Sequence, residues 1–375
     1  MDAPPASRAA QLRNRLRDAS YRYYVLQQPD LTDAEYDALY RELVELEEAH
    51  PELVTADSPT RLVGSEVQSS FATVTHPTPM YSLDNLFSAE ELETFLGRLA
   101  RLLELAAPPP LVAEPKVDGV SVNIMYEHGE LVWAATRGNG RQGEDVSANI
   151  LAITEIPRSF EDAPAELEVR GEIYLSRSEF LRINEERADA SENLFMNPRN
   201  AASGALRQLD ARVTWSRRLR AFLYDVGRPA DIGVADRLAL LDWLAARGFG
   251  TNPLKQQVSG LQETMELLAH WLELRHELDY EIDGVVLKLQ DLEAAAELGS
   301  TSRAPRWAAA WKFPAEEAES VLEDIAVQVG RTGKITPVAN LEPRLVEGTV
   351  VARATLHNPG FVELHDLRPG DRVLI

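Results

Sequence analysis

Lysine is scarce in this chain, and most of its lysines sit close to acids or glycines. Of 38 basic residues only five are lysines: Lys116, Lys255, Lys288, Lys312 and Lys334. Arginine keeps its proton in a protein, whereas lysine can become a nucleophilic amine or act as a compact point charge on phosphate. A lysine kept in such a background is a candidate for chemistry that arginine cannot perform. Lys255, in a polar stretch after Pro253, reads as surface decoration. The sharpest feature is Glu114-Pro115-Lys116-Val117-Asp118-Gly119, a lysine at a predicted strand end, beside a tight turn, with two acids nearby. A second Asp-Gly pair lies in Tyr280-Glu281-Ile282-Asp283-Gly284-Val285-Val286-Leu287-Lys288. Residues an odd number apart on a strand face opposite sides, so Asp283 and Lys288 can share a face only across a bulge or bend, which Gly284 permits. Lys312 lies in Trp311-Lys312-Phe313-Pro314. Glu168, Arg170 and Glu172 share one parity of a predicted strand and give it a charged face; the plainer reading is a face turned to solvent. A free lysine, with a pKa of about 10.4, is no nucleophile at neutral pH, so Lys116 needs burial or neighbouring cations, which Lys288 and Lys312 could supply.

The elements that must hold these residues fall into three segments. Leu12, Leu16, Tyr23 and Tyr24 recur at near-helical spacing over 8–27, and Pro29 stops the run. Thr32-Asp33-Ala34-Glu35 reads as a capping box opening a second helix to about Ala49. A helical domain over 1–69 follows, with a Pro/Ser/Thr-containing linker across 51–80. Strands are expected at 111–112, 120–126, 130–136, 166–175, 219–226 and 280–289, with helices at 88–106, 176–188, 234–248 and 260–276. This is an α+β domain over 70–316. Strands at 321–329, 335–341, 349–356 and 371–375, punctuated by glycines, suggest a partial OB-fold over 317–375. A barrel ending within its last strand would leave an open edge, so the chain reads as a fragment of a longer protein.

Composition narrows the function classes. The 375 residues carry a formal net charge of −22, with 45% hydrophobic and 26% charged residues, an ordinary globular balance. There is no apolar run long enough for a membrane span and no basic-then-apolar leader, so a cytoplasmic protein is expected. Zero cysteines exclude disulfides, thiolate zinc sites and a cysteine nucleophile. Seven scattered histidines form no metal-binding pair. The acidic balance repels nucleic acid at long range, so polyanion contact must use local patches. One runs from Arg199 to Arg220, with Arg207, Arg212, Arg217 and Arg218 between them and Asp210 as its single acid.

Together the Lys116 motif, the Glu172 strand, the Asp283 motif and the late Lys312 motif resemble, in that order, the covalent nucleotidyltransferases: DNA ligases, RNA ligases and capping enzymes. Finer motifs resemble the bacterial NAD-dependent DNA ligases over essentially the whole chain. They are Asp33-Ala34-Glu35-Tyr36-Asp37, Tyr81-Ser82-Leu83-Asp84-Asn85, Asn197-Pro198-Arg199-Asn200-Ala201-Ala202 through Leu206-Arg207-Gln208-Leu209-Asp210, Val329-Gly330-Arg331-Thr332-Gly333 and Ala354-Thr355-Leu356-His357-Asn358.

The resemblance implies that Lys116 takes AMP from NAD⁺ and passes it to a 5′-phosphate at a nick in double-stranded DNA, in replication and repair. It implies Asp118, Asp283, Lys288 and Lys312 as catalytic partners, and Mg²⁺ on the phosphates. Glu114, Ser82 and Leu83 would hold the adenine, with Glu172 and Arg137 near ribose or phosphate. Tyr23 and Tyr36 would flank the nicotinamide, and Asp33 and Asp37, with Ala34 and Glu35 beside them, would meet its ribose. Arg199, Arg207, Arg275 and Arg331 would grip phosphate or DNA. Zinc is expected only in the family's C-terminal domains, which this chain lacks, and a monomer is expected. Two other readings stand beside this one. An ATP-dependent nucleotidyltransferase would have no nicotinamide mononucleotide for the Asp33–Asp37 segment to hold. A non-catalytic DNA-binding scaffold would have no use for Lys116 and its supporting charges.

Overall fold

The structure is a computed structural model. It describes residues 4–21, 31, 33–55, 58–60, 71–314, 318–329, 335–346, 349–356 and 358–375. Tyr23, Thr32 and Arg331 lie outside these residues, as do the side chains of Asp33 and Ala34. Two compact units form: Met1–Ser191 with Pro198–Phe313, and Glu192–Asn197 with Pro314–Ile375.

In the first unit, α1 (Pro5–Tyr21) and α2 (Asp33–Ala49) pair through Leu12, Leu16 and Leu43. The chain continues through β1 (Thr73–Thr75), β2 (Asp84–Leu86), α3 (Ala89–Leu102), β3 (Leu111–Val117), β4 (Val120–Glu127), β5 (Glu130–Thr136) and β6 (Gln142–Glu144). Next come α4 (Ser147–Ile150), β7 (Glu166–Tyr174), α5 (Arg177–Asp189), α6 (Pro198–Leu206), α7 (Ala211–Ser216), β8 (Arg220–Val226) and α8 (Arg237–Ala246). The unit ends with β9 (Gln256–Val258), α9 (Gly260–Leu274), β10 (Ile282–Leu289), α10 (Leu292–Leu298) and β11 (Ala308–Lys312). Its strands form a five-stranded sheet in the order β2-β11-β10-β3-β9, a four-stranded sheet in the order β5-β4-β7-β8, and a ribbon of β1 with β6.

Amphipathic helices cover the five-stranded sheet. Ser88 caps α3 by accepting from the Glu91 amide, and every third or fourth residue after it is apolar and buried: Leu92, Phe95, Leu96 and Leu99. They share a core with Leu267, Leu268 and Trp271 of α9 and with Val285 and Leu287 of β10. Each such side chain contributes roughly 1.5–3 kcal/mol by leaving water. Tyr174, Phe222 and Tyr280 pack ring against ring where the two sheets meet, with centroids 4.8–5.5 Å apart. The β3–β4 turn, Asp118-Gly119, carries the chain from one sheet to the other. A Cβ at Gly119 would strike the Ile173 carbonyl oxygen, so only glycine lets this turn lie on β7.

The second unit holds β12 (Glu319–Val329), β13 (Ile335–Val346), β14 (Thr349–Thr355), α11 (Pro359–Leu364) and β15 (Arg372–Leu374), in the sheet order β14-β13-β12-β15. Leu322, Ala339, Leu341 and Leu356 form its core.

One expectation needs correction, and one of the two readings of β7 fails. The stretch 51–80 is not all linker: β1 pairs with β6, and His76 behind it is 5% exposed. The plainer reading of the charged β7 face, solvent exposure, fails, because Glu168 is buried and Arg170 and Glu172 border a cavity. The reason is pairing on both sides, by β4 and by β8, with polar partners supplied from neighbouring segments.

Candidate active site

Strand register explains how the scarce lysines meet. On β10, Gly284 stands opposite both Lys116 of β3 and Lys312 of β11, so one small residue separates two lysines. The register shifts between Ile282 and Gly284, which places a bulge at Asp283. That bulge turns the Asp283 carboxylate toward both ammoniums. Lys116 Nζ donates to Oδ1 at 2.8 Å and to Oδ2 at 2.7 Å, and Lys312 Nζ donates to Oδ2 at 2.8 Å. Beyond the bulge, Val286 and Lys288 share the face of Glu114 and Lys116, and all four border one cavity of about 620 Å³.

Each charge in the cavity has a defined setting. Burial works against the charge of Asp283, but Lys116 and Lys312 outweigh it and hold this carboxyl well below the usual range. Lys288 Nζ lies 2.7 Å from Glu114 Oε1 and 4.8 Å from the centre of the Tyr224 ring. Glu114 is buried, and this ammonium is its charged partner. Glu172 accepts from Ser121 Oγ at 2.6 Å. Burial pushes the Glu172 carboxyl up to about 7, against the opposing pull of Ser121, Arg199, Lys116 and Arg137. Arg199 donates to Asp118 at 2.5 Å, and Arg207 donates to Glu144 at 2.5 Å.

The helical pair reaches the same cavity. Tyr36 and Asp37 of α2 border it. Asp37 Oδ2 is 3.7 Å from Lys312 Nζ, and Asp37 Oδ1 accepts from Asn85 Nδ2 at 3.3 Å. Tyr36 stacks on Tyr40 and shares a 3.0 Å hydrogen bond with Ser20. Two cation–π contacts cross between α2 and the sheet domain in opposite senses: Arg41 lies over Phe87 and Arg303 over Tyr40, at 4.1 and 4.0 Å.

Of the residues singled out by sequence, Tyr36, Asp37, Ser82, Leu83, Glu114, Lys116, Arg137, Glu172, Arg199, Arg207, Asp283, Lys288 and Lys312 border the cavity. Asp118 adjoins it through Arg199. Glu35 does not border it, and neither does Arg275, which caps α9 with its guanidinium 5.7 Å from the Phe313 ring. The arginine run is divided: Arg199 and Arg207 turn inward, while Arg212, Arg218 and Arg220 meet Asp210, Glu179 and Glu155. Ser121, Arg170, Asp225 and Arg237 border the cavity too. No motif marks them. Parity on β7 was the one available sign for Arg170.

Among the described residues, no group of three or more His, Asp or Glu could hold a metal ion. Asp118 and Asp283 are engaged by cations and Glu172 by a hydroxyl. No helix among the described residues is long and apolar enough to cross a membrane.

Comparison with known proteins gives three family matches in chain order. Residues 2–64 match the DNA ligase-like N-terminal NAD⁺-binding domain, 68–316 the NAD-dependent DNA ligase adenylation domain, and 319–375 the NAD-dependent DNA ligase OB-fold domain. A DNA ligase of Desulfitobacterium hafniense is 46% identical over 370 residues, 99% of this chain and 56% of that protein. A DNA ligase of Thermotoga neapolitana is 47% identical over 364 residues, 97% of this chain and 52% of that protein. The chain therefore spans about half the length of the curated relatives it matches.

Proposed function

This chain belongs to the NAD-dependent DNA ligase family, and on that premise we propose that it carries out the adenylation step of nick sealing. Lys116 Nζ, having released one proton to water, attacks the α-phosphorus of NAD⁺ and gives up a second proton to water as the bond to phosphorus forms. A P–N bond forms as the bond to the bridging oxygen breaks. Nicotinamide mononucleotide departs with that oxygen, and AMP stays on Lys116 as a phosphoramidate. The AMP then passes to the 5′-phosphate of nicked double-stranded DNA, where the 3′-hydroxyl displaces it. The working form is a cytoplasmic monomer serving replication and repair.

One observation carries this reading: the helical pair and the candidate nucleophile share a cavity, with Asp37 3.7 Å from the Lys312 ammonium that shares Asp283 with Lys116. An enzyme using ATP has no second nucleotide for α2 to hold. Tyr36 and Asp37, with Tyr23, Asp33, Ala34 and Glu35 of the same segment, recognise the nicotinamide half. Glu114, a buried carboxylate at the cavity edge, suits the adenine amino group, and Ser82 and Leu83 border the base. Lys288 and Lys312 brace the phosphates as fixed positive charges. Attack needs the Nζ lone pair, so the Asp283 contact loosens as the α-phosphate arrives. Glu172 and Arg137 serve ribose and phosphate, and Arg199, Arg207, Arg275 and Arg331 serve DNA. The working division is 1–69 for leaving-group recognition, 70–316 for adenylation and 317–375 for the OB-fold.

The test is incubation with NAD⁺ or ATP, each with Mg²⁺, and mass spectrometry of the intact chain. A covalent AMP from NAD⁺ alone is expected. Adduct from ATP but not NAD⁺ points to an ATP-dependent enzyme, and none from either to a DNA-binding scaffold.

A further inference from the structure

Behind the cavity wall lies a buried polar chain that the adenylation chemistry does not use. His76, Asn123 and Glu168 are 5%, 0% and 6% exposed. Glu168 accepts from Thr78 Oγ1 at 2.7 Å and from Asn123 Nδ2 at 2.8 Å. Arg170 Nη2 lies 3.7 Å from Glu168 and donates to the Thr78 carbonyl at 2.9 Å. Asn123 Nδ2 also lies 3.4 Å from His76 Nδ1, and His76 Nε2 is 3.2 Å from the Arg137 carbonyl oxygen. Thr78, Arg137 and Arg170, at the ends of this chain, border the cavity.

The partners dictate the imidazole tautomer. A carboxylate only accepts, so the amide nitrogen of Asn123 faces Glu168. The same nitrogen faces His76 Nδ1, which must then be the acceptor. The proton therefore sits on Nε2 and points at the Arg137 carbonyl. A second proton on Nδ1 would set donor against donor. Burial lowers the His76 pKa, reinforced by Arg170; the Arg137 carbonyl and Glu168 pull the other way without overcoming it. The backbone supports the same arrangement, because the His76 amide donates to the Arg141 carbonyl and the Met80 amide to the Gly140 carbonyl, at 2.8 Å each. Residues 76–80 thus grip the 137–141 turn by backbone, and His76 adds a side-chain bond at Arg137 itself.

We propose that His76 is a positioning residue, which fixes Arg137 directly, and Arg170 through Asn123 and Glu168, for nucleotide binding. This rests on the adenylation reading of the same cavity. His76 contacts no reacting atom and acts through the turn that presents Arg137. Loss of its bond loosens that turn and weakens NAD⁺ capture, while Lys116, Asp283 and Lys312 stay aligned.

The test measures self-adenylation of the full chain against NAD⁺ concentration in wild type, His76→Phe, His76→Gln, Arg137→Ala and the double variant His76→Phe/Arg137→Ala. His76→Phe is expected to raise half-saturating NAD⁺ about ten-fold, with the saturated rate changed less than about two-fold. His76→Gln, whose amide can donate to Arg137 and accept from Asn123, should return to within about two-fold of wild type. Adding His76→Phe to Arg137→Ala should cost no more than about two-fold further, because one turn carries both effects. Nitrogen-15 imidazole spectra, assigned with His76→Gln, should show a neutral Nε2–H ring. Unchanged NAD⁺ dependence in His76→Phe, multiplying effects in the double variant, an Nδ1–H ring, or a ring titrating at its ordinary value of about 6.5 would each overturn the role. A wild-type chain that forms no adduct overturns the adenylation reading and this role together. A reactive wild type with an unaffected His76→Phe overturns this role alone.

Discussion

Two ion pairs beside one cavity are built in opposite ways. Arg237 is 1% exposed and held on three sides: by Asp225 Oδ2 at 3.1 Å, by the Leu289 carbonyl at 3.2 Å, and by the Trp307 ring at 4.7 Å. Burial opposes the charge on Asp225, yet Arg237, Lys288 and Arg170 keep that carboxyl below its usual range. Lys116 and Asp283 are 24% and 19% exposed, and the one carboxylate is divided between two ammoniums. A rigid guanidinium fork fixes geometry, whereas a lysine shared across one acid can trade that acid for a phosphate. Of these two pairs, the arginine one holds the wall and the lysine one is open to exchange.

The largest effect should come from the exchangeable pair. Lys116→Arg keeps a cation against Asp283 but removes the amine, so self-adenylation should vanish while stability stays within about 1 kcal/mol of wild type. Denaturation curves and mass spectra together check both halves. Arg237→Ala should do the reverse, lowering unfolding free energy by about 3–5 kcal/mol, because Asp225 stays buried without its main partner. A loss below about 1 kcal/mol would erase the contrast.

Glu172 lies between these cases, since burial raises it from an ordinary 4.5 to about 7. The folded chain then holds this proton more tightly than the unfolded chain. Its stabilising contribution is complete below the unfolded pKa and is lost as pH rises through the folded one. Urea unfolding at about pH 5 and about pH 8 should therefore show a larger loss of stability with rising pH in wild type than in Glu172→Gln. Equal losses would contradict the burial argument. The smallest effect belongs to an exposed pair, Arg368 with Asp366 at 2.8 Å, 72% and 76% exposed. Arg368→Ala should change stability by less than about 1 kcal/mol in the same unfolding assay.

Much of this contrast was legible in the sequence because lysine stands out against an arginine background. Strand parity required a bulge near Gly284 before Asp283 could join the lysines, and the register shift is there. Other features were hidden for physical reasons. Pro115 obscured most of β3, yet β9 pairs only with Leu111–Ala113, so a missing N–H at Pro115 faces little competition. Ala308-Ala309-Ala310 has weak strand propensity, and β11 forms because β2 and β10 flank it. Arg237 and Asp225 looked like ordinary helix and strand charges, since nothing local reveals that they meet across 12 residues. His76 lay in what read as a linker. Only the pairing of β1 with β6 brings it behind Arg137.

The central claim is that Lys116, rather than any other lysine, is the amine that takes up AMP. Its most direct test is peptide mapping of the chain after reaction with NAD⁺ and Mg²⁺. The account predicts a single acid-labile AMP on the peptide containing Lys116. An adduct on Lys288, Lys312 or another residue, with Lys116 unmodified, would contradict it.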